Sequence, residues 1–255
     1  MAEAVPVLLG VFAHPDDESL ACGGLWARAA ALGARVVLVS LTRGEAGPTG
    51  DGDAAALGAR RGEEFSAAAR ALGAEAAVVL DHADGMLPWL DHAALEHDIR
   101  QLVATHRPDV VVTFDADGLY WHPDHISVHE RVTAVVTALG DAAPALFYVS
   151  LPPGQMRAVA ARAGGIDVVP GLHDADAFGA AAPPPTLVID AGALAGRKLA
   201  AIRCHASQFA ASAFATMTAD DAVLIAHEHY RRADVGAAGL TLLDRIGTPP
   251  VPASA

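Results

Sequence analysis

Two short segments of this 255-residue chain hold residue types that suit metal-assisted hydrolysis: His14-Pro15-Asp16-Asp17-Glu18 and His122-Pro123-Asp124-His125. Either one alone reads as a plain helix start. Proline suits the first helical position, and acidic side chains suit the positive end of the helix dipole. That reading leaves the imidazoles unexplained, because a neutral or cationic ring gains nothing from that end. Two histidines and one carboxylate are a ligand set for a catalytic divalent ion, zinc above all, with the fourth position left for water. Zinc brings the pKa of that water to about 7, and a second carboxylate alongside can take its proton. The consecutive aspartates supply both parts, one as ligand and one as base. Iron(II) can replace zinc in such a donor set.

These segments need a frame that makes them converge. Valine-rich runs predict buried strands at Val5–Phe12, Arg35–Leu41, Ala76–Leu80, Asp109–Phe114, Ala145–Val149 and Thr186–Asp190. Between them, helices are expected at Ser19–Leu32, Arg60–Leu72, Ala93–His106, Pro123–Leu139, Met156–Ala163 and Ala193–Ala206. Alternating strands and helices build an α/β fold of Rossmann-like type, with a mostly parallel sheet and helices on both faces. Ligands bind outside the carboxyl ends of such strands, which is where each His-Pro-Asp segment falls. One α/β domain is expected over 1–248, with a loose tail over 249–255.

The paired segments resemble the signature of the LmbE-like, or PIG-L, zinc deacetylases. It stands here as Ala13-His14-Pro15-Asp16-Asp17-Glu18 and His122-Pro123-Asp124-His125. The resemblance extends to Thr42-Arg43-Gly44-Glu45, Arg61-Gly62-Glu63-Glu64, Ala71-Leu72-Gly73, Asp84-Gly85 and Lys198–Gln208. It implies that His14, Asp17 and His125 are the zinc ligands and Asp16 the general base. It makes His122 the group that stabilises the tetrahedral intermediate or protonates the leaving amine, and Asp124 a carboxylate that orients a histidine. Among members, the chain is most similar to the mycothiol-pathway deacetylases, which split acetate from an N-acetylglucosaminyl-inositol. That comparison matches Tyr120 to a tyrosine on the reacting carbonyl, and Arg61 and Asp84 to residues that hold the sugar. The chain is shorter than those members around Gly85 to Asp91, a stretch that shapes the substrate pocket.

Other residues carry less. His125 and His129 are four apart, but no HExxH glutamate lies between them. His227-Glu228-His229 reads as an ordinary polar segment near the pocket, since alternate residues share a face only in a strand. Gly44, Gly47 and Gly50 match no phosphate-loop pattern and read as a pocket-rim loop from which Arg43 reaches the ligand. His82, His92, His97, His106 and His173 read as surface or loop residues. His205 falls on a helix position of the family and reads as packing. Cys22 and Cys204 form no CxxC pair and read as small core residues.

A net charge of −13 argues against nucleic acid and anionic membranes, which need a basic face. No apolar run is long enough to span a bilayer, and the N-terminal run lacks a basic flank and reads as a strand. The expectation is a cytoplasmic enzyme acting on a small amino-sugar substrate, with no nucleic-acid or membrane partner and no signal of oligomeric state. Two readings compete with an N-deacetylase. One changes the substrate to thiol conjugates of the same sugar or to antibiotic glycosides. The other is a non-catalytic sugar- or nucleotide-binding module whose His-Pro-Asp segments are only helix caps.

Overall fold

Runs of valine and leucine without polar alternation become strands covered on both faces, and the central strands of this protein follow that rule. The computed structural model describes residues 4–48, 52–170 and 172–250. In chain order the elements are β1 (Val7–Phe12), α1 (Asp17–Ala31), β2 (Arg35–Thr42), α2 (Ala54–Leu72), β3 (Ala76–His82), α3 (His92–His106), β4 (Val110–Phe114), α4 (Gly118–Trp121), α5 (Pro123–Leu139), β5 (Ala145–Ser150), α6 (Gln155–Arg162), β6 (Leu187–Asp190), α7 (Ala195–Cys204), α8 (Ala206–Phe209), α9 (Ala213–Thr216), β7 (His227–Gly236) and α10 (Leu242–Ile246).

The strands form one sheet in the order β3-β2-β1-β4-β5-β7-β6. The first five are parallel to their neighbours, while β7 runs antiparallel to both β5 and β6. The chain steps outward from β1 through β2 to β3, then crosses back to β4 on the other side of β1. The return puts α3 and α5 against each other, apart from α1, α2 and α7, which pack together. Helices therefore cover both faces. The buried apolar side chains form one cluster running from Leu8 to Leu243, with the Phe12 ring edge-on to Trp26 and to Phe114.

The expected mostly parallel sheet is the one observed, with shifted boundaries. α2 starts six residues early, at Ala54, because the Asp53 carboxylate caps it by accepting the Ala56 N–H. The larger difference is β7, which sequence patterning reads as a polar segment. Its inward residues include Glu228, which is buried. A buried carboxylate scores as polar, so the inside/outside alternation is hidden. Cys204 is also only partly buried, unlike Cys22. The expected tail begins beside β6, where Thr248 exchanges backbone hydrogen bonds with Val188; residues 251–255 lie outside the described residues. Among the described residues, no helix is long and apolar enough to cross a membrane.

Candidate active site

The sheet's strand order reverses between β1 and β4, and that is where an open α/β sheet leaves a crevice at its carboxyl edge. β1 delivers His14 through Asp17 to this crevice. β4 delivers the turn that leads through Tyr120 and His122 to His125 on the first turn of α5. Residues 111 apart in sequence meet there: His14 Nδ1 lies 3.1 Å from His125 Nε2.

The Asp17 carboxylate completes the meeting. It lies 3.4 Å from His14 Nδ1 and 3.2 Å from His125 Nε2. Ligand atoms about 2.0–2.1 Å from a tetrahedral zinc stand roughly 3.3 Å apart, so this triangle fits one ion with a fourth position free. The tautomers agree with that fit. The Nδ1 of His125 faces the Gly118 carbonyl at 3.0 Å, so it carries the proton and leaves the Nε2 lone pair toward the triangle. His14 Nε2 faces Asp84 at 3.0 Å and Asp124 at 3.2 Å, which frees its Nδ1 in the same direction. Carboxylates behind ligating histidines fix ring orientation and raise basicity in this way. Two looser groupings also exist, His14 with His122 and His125, and His14 with Asp84 and Asp124, each with ligand atoms within 4.8 Å of one another. The triangle with Asp17 is tighter. In addition, Asp124 already accepts the Gly85 and Leu87 amides, and His122 Nδ1 already accepts the Asp124 amide.

Asp16 stands beside this triangle. It occupies the cap position of α1, yet its side chain makes no capping hydrogen bond, so the carboxylate is left for other work. Its backbone sits at φ 130, a value L side chains rarely adopt. Arg61 is buried and donates through Nη2 to Asp16 Oδ2 at 2.9 Å and to the Pro15 carbonyl at 2.7 Å, and through Nη1 to the Gly44 carbonyl. Gly44 has to be glycine here: at φ 68, a Cβ would lie 2.3 Å from Arg61 Nη1.

The crowding of charge shifts the titrations. Burial pulls His14 down, but Asp124, Asp17 and Asp84 together lift it well above the usual histidine value. Burial pushes the Asp17 carboxyl up, and His125 and His14 overcome this to hold it well below the carboxylate range. Asp16 is raised to about 6 by burial, against the pull of Arg61. His122 is lowered to about 4 by burial and by the neighbouring imidazoles of His125 and His14. Burial and the charges of Asp17 and Asp16 keep the Tyr120 hydroxyl protonated. The arrangement therefore offers a base that titrates near neutrality, a neutral imidazole with Nε2–H free to donate, and a phenol donor.

A cavity of about 340 Å³ opens over the triangle, lined among others by His14, Asp16, Arg61, Asp84, Tyr120 and His122. Another, of about 300 Å³, lies between Ala4 and Arg245, and its one carboxylate, Asp109, is engaged by the Val7 amide. Nearly all the residues singled out from sequence thus meet in one place. Arg43 does not. Its side chain pairs with Asp81 at the surface, outside the cavity lining. His227 and His229 share one face of β7 and are likewise absent from that lining. His205 is more than packing, since its Nε2 bonds the Glu18 carboxylate at 2.8 Å. Gln208 lines the cavity, and its only signal in the sequence was membership of the Lys198–Gln208 stretch.

Comparison with known proteins gives a consistent picture. The family model described as PIG-L, GlcNAc-PI de-N-acetylase, matches residues 9–136. A 1D-myo-inositol 2-acetamido-2-deoxy-alpha-D-glucopyranoside deacetylase from Acidothermus cellulolyticus is 35% identical over 240 residues, covering 80% of each chain. Its namesake from Mycobacteroides abscessus is also 35% identical, covering 80% of this chain and 82% of its own. The solved N,N'-diacetylchitobiose deacetylase from Pyrococcus horikoshii superposes with a TM-score of 0.66 at 20% identity, covering 89% of this chain and 83% of its own. The 4-carboxy-2-hydroxymuconate hydratase GalB from Pseudomonas putida superposes with a TM-score of 0.65 at 18% identity, covering 93% of this chain and all of its own. One fold thus serves both amide hydrolysis and hydration, and the chemistry has to be argued from the site.

Proposed function

Because the chain belongs to the PIG-L family of de-N-acetylases, we propose that it is a zinc-dependent N-deacetylase acting on an N-acetylglucosamine-containing small molecule, an N-acetylglucosaminyl-inositol first. The observation that carries this reading is the triangle of His14 Nδ1, His125 Nε2 and Asp17, with the uncapped Asp16 carboxylate beside it.

His14, Asp17 and His125 would hold the ion. When bound, it supplies Lewis acidity and brings the ionisation of water toward neutral pH. Asp16 accepts the proton of the attacking water, and a base raised to about 6 is suited to that task near neutrality. As the amide carbon becomes tetrahedral, the Nε2–H of His122 and the Tyr120 hydroxyl donate to the developing oxyanion, each donor contributing a few kcal/mol. His122 is lowered to about 4 and so acts as a neutral donor, carrying no spare proton. The leaving nitrogen therefore takes the proton that Asp16 gained, the C–N bond breaks, and acetate and a free amine depart. Arg61 holds the Asp16 carboxylate in place. Asp84 lines the cavity with one oxygen on His14 and the other on the Ala46 amide, which orients the ligating ring and ties two rim loops together.

The test is a substrate panel on metal-analysed protein. N-acetylglucosaminyl-inositol, N-acetylglucosamine and a thiol conjugate of the glucosaminyl-inositol are incubated with it, and free amine and acetate are measured. One zinc per chain and amine release from the first substrate are expected. Faster cleavage of the conjugate would move the reading to an amidase, and absence of bound metal would leave only a binding module.

A further inference from the structure

Glu18 and His205 are buried, titratable and unused in the mechanism above. His205 touches Glu18, and Glu18 touches one peptide group, the one joining Pro15 to Asp16. Its N–H, from Asp16, donates to Glu18 Oε2 at 2.9 Å. Its carbonyl, from Pro15, accepts Arg61 Nη2 at 2.7 Å. The same peptide sets φ of Asp16 at 130. A backbone held so far outside the ordinary regions persists only where its surroundings over-determine it. A flip of this one peptide would relieve the strain, and it would break two hydrogen bonds to charged side chains.

Glu18 is itself fixed. Its Oε1 accepts His205 Nε2 at 2.8 Å and the Ser19 hydroxyl. His205 stands at the carboxyl end of α7 with its Nδ1 buried and without a hydrogen-bond partner. A ring that leaves one nitrogen unsatisfied is held there by what its other nitrogen does. We propose that Glu18, locked by His205, is a positioning residue that clamps the Pro15–Asp16 peptide and so aims the general base. This rests on the assignment of Asp16 as base, and it assigns α7 a part in the reaction although α7 contributes no residue that touches the substrate.

The distinction from a plain helix-start glutamate is measurable with the zinc-loaded full chain and the N-acetylglucosaminyl-inositol assay. Glu18→Ala is expected to lower kcat by about 30-fold or more, the scale of a misaimed catalytic group, with KM and zinc content unchanged. Glu18→Gln keeps an acceptor for the Asp16 amide and should recover most of that loss. In an Asp16→Asn background, Glu18→Ala should cost less than about threefold, because residues that act as one unit are not additive. Equal losses in both backgrounds, or a raised KM with unchanged kcat, would overturn the clamp. A crystal structure of Glu18→Ala tests the same idea without any substrate: residue 16 is expected at negative φ, and φ still near 130 overturns the proposal. If the wild type releases no amine from any substrate, the functional reading fails while this structural arm still decides. Should Glu18→Ala not fold, His205→Phe reads the same clamp through kcat, and an unchanged kcat there overturns it.

Discussion

Helix α1 meets two buried polar clusters, one at its first turn and one at its middle, and they are built on opposite plans. At the middle, Glu228 of β7 has both oxygens engaged. Oε1 accepts the Gly24 amide and Lys198 Nζ, and Oε2 accepts the Leu25 amide and the Tyr230 hydroxyl. Gly24 allows this approach, since a Cβ there would lie 2.8 Å from Glu228 Oε1. One negative charge faces one positive charge, from the chain's only lysine. At the first turn, four carboxylates (Asp16, Asp17, Asp84 and Asp124) gather around one guanidinium and imidazoles whose lone pairs converge. The carboxylates of Asp124, Asp17 and Asp84 lift His14 well above the usual histidine value, as they would favour any positive charge placed there. A closed cluster fastens three elements. The cluster in which carboxylates outnumber cations is the one proposed to take a divalent ion.

The largest effects should break the open cluster. Removing the metal with a chelator is expected to cut amine release by at least about a thousandfold, several kcal/mol of lost charge stabilisation, with recovery on adding zinc back. Turnover that survives in metal-free protein would place the first-turn cluster with the closed one. Asp16→Asn should lower kcat by about 10²- to 10⁴-fold, the range for a lost general base, while one zinc stays bound. Loss of the metal together with the rate would make Asp16 a ligand instead.

The closed cluster should respond in stability rather than rate. Lys198→Met leaves the Glu228 charge buried and unpaired, and breaking such a pair costs about 3–5 kcal/mol. Denaturant unfolding measures that cost, and kcat per folded molecule should stay within about twofold. A large drop in kcat with normal stability would mean that the middle of α1 communicates with its first turn.

A smaller effect, tenfold per pH unit, separates the two clusters by titration. Burial raises Asp16 to about 6. A carboxyl raised in the folded state binds a proton there that the unfolded chain has released. Its contribution to stability is therefore favourable below its unfolded pKa and is lost as pH rises through about 6. Activity runs the other way, because only the ionised carboxylate can take a proton. The kcat/KM profile should fall on the acid side of about pH 6, or somewhat lower once a cation adds its charge, and the limb should be missing from the residual rate of Asp16→Asn. A limb centred above pH 7 would assign the base to another group.

What the sequence revealed, and what it hid, follows the same division. The parallel strands were legible because double-sided burial makes them uniformly apolar. The two His-Pro-Asp segments were legible because they pair imidazoles with acidic helix starts; His14 has no capping role there, whereas His122 Nδ1 caps α5 by accepting the Asp124 amide. β7 was hidden by its own buried glutamate, whose partner Lys198 lies 30 residues away in sequence. The Glu18–His205 contact was hidden similarly, its ends standing 187 positions apart in sequence. Local pattern reports what a side chain is, and only the fold reports what neutralises it.

Arg43 and Arg61 sharpen the comparison at its small end, because two residues of one type stand near the same rim with opposite fates. Sequence placed both against the ligand. Arg61 is buried and spends its donors on Asp16 and on two backbone carbonyls. The Arg43 side chain is 44% exposed and pairs with Asp81, itself 76% exposed. Surface pairs of this kind contribute little, since water competes for both charges. Arg43→Ala should therefore leave kcat and KM within about twofold, near the lower limit of a measurable effect. A KM raised tenfold with unchanged kcat would show that the 43–48 loop swings in on binding and that Asp81 only parks the guanidinium until substrate arrives. The excess of carboxylates at the first turn of α1 would then be met in part by a residue that otherwise pairs with Asp81 at the rim.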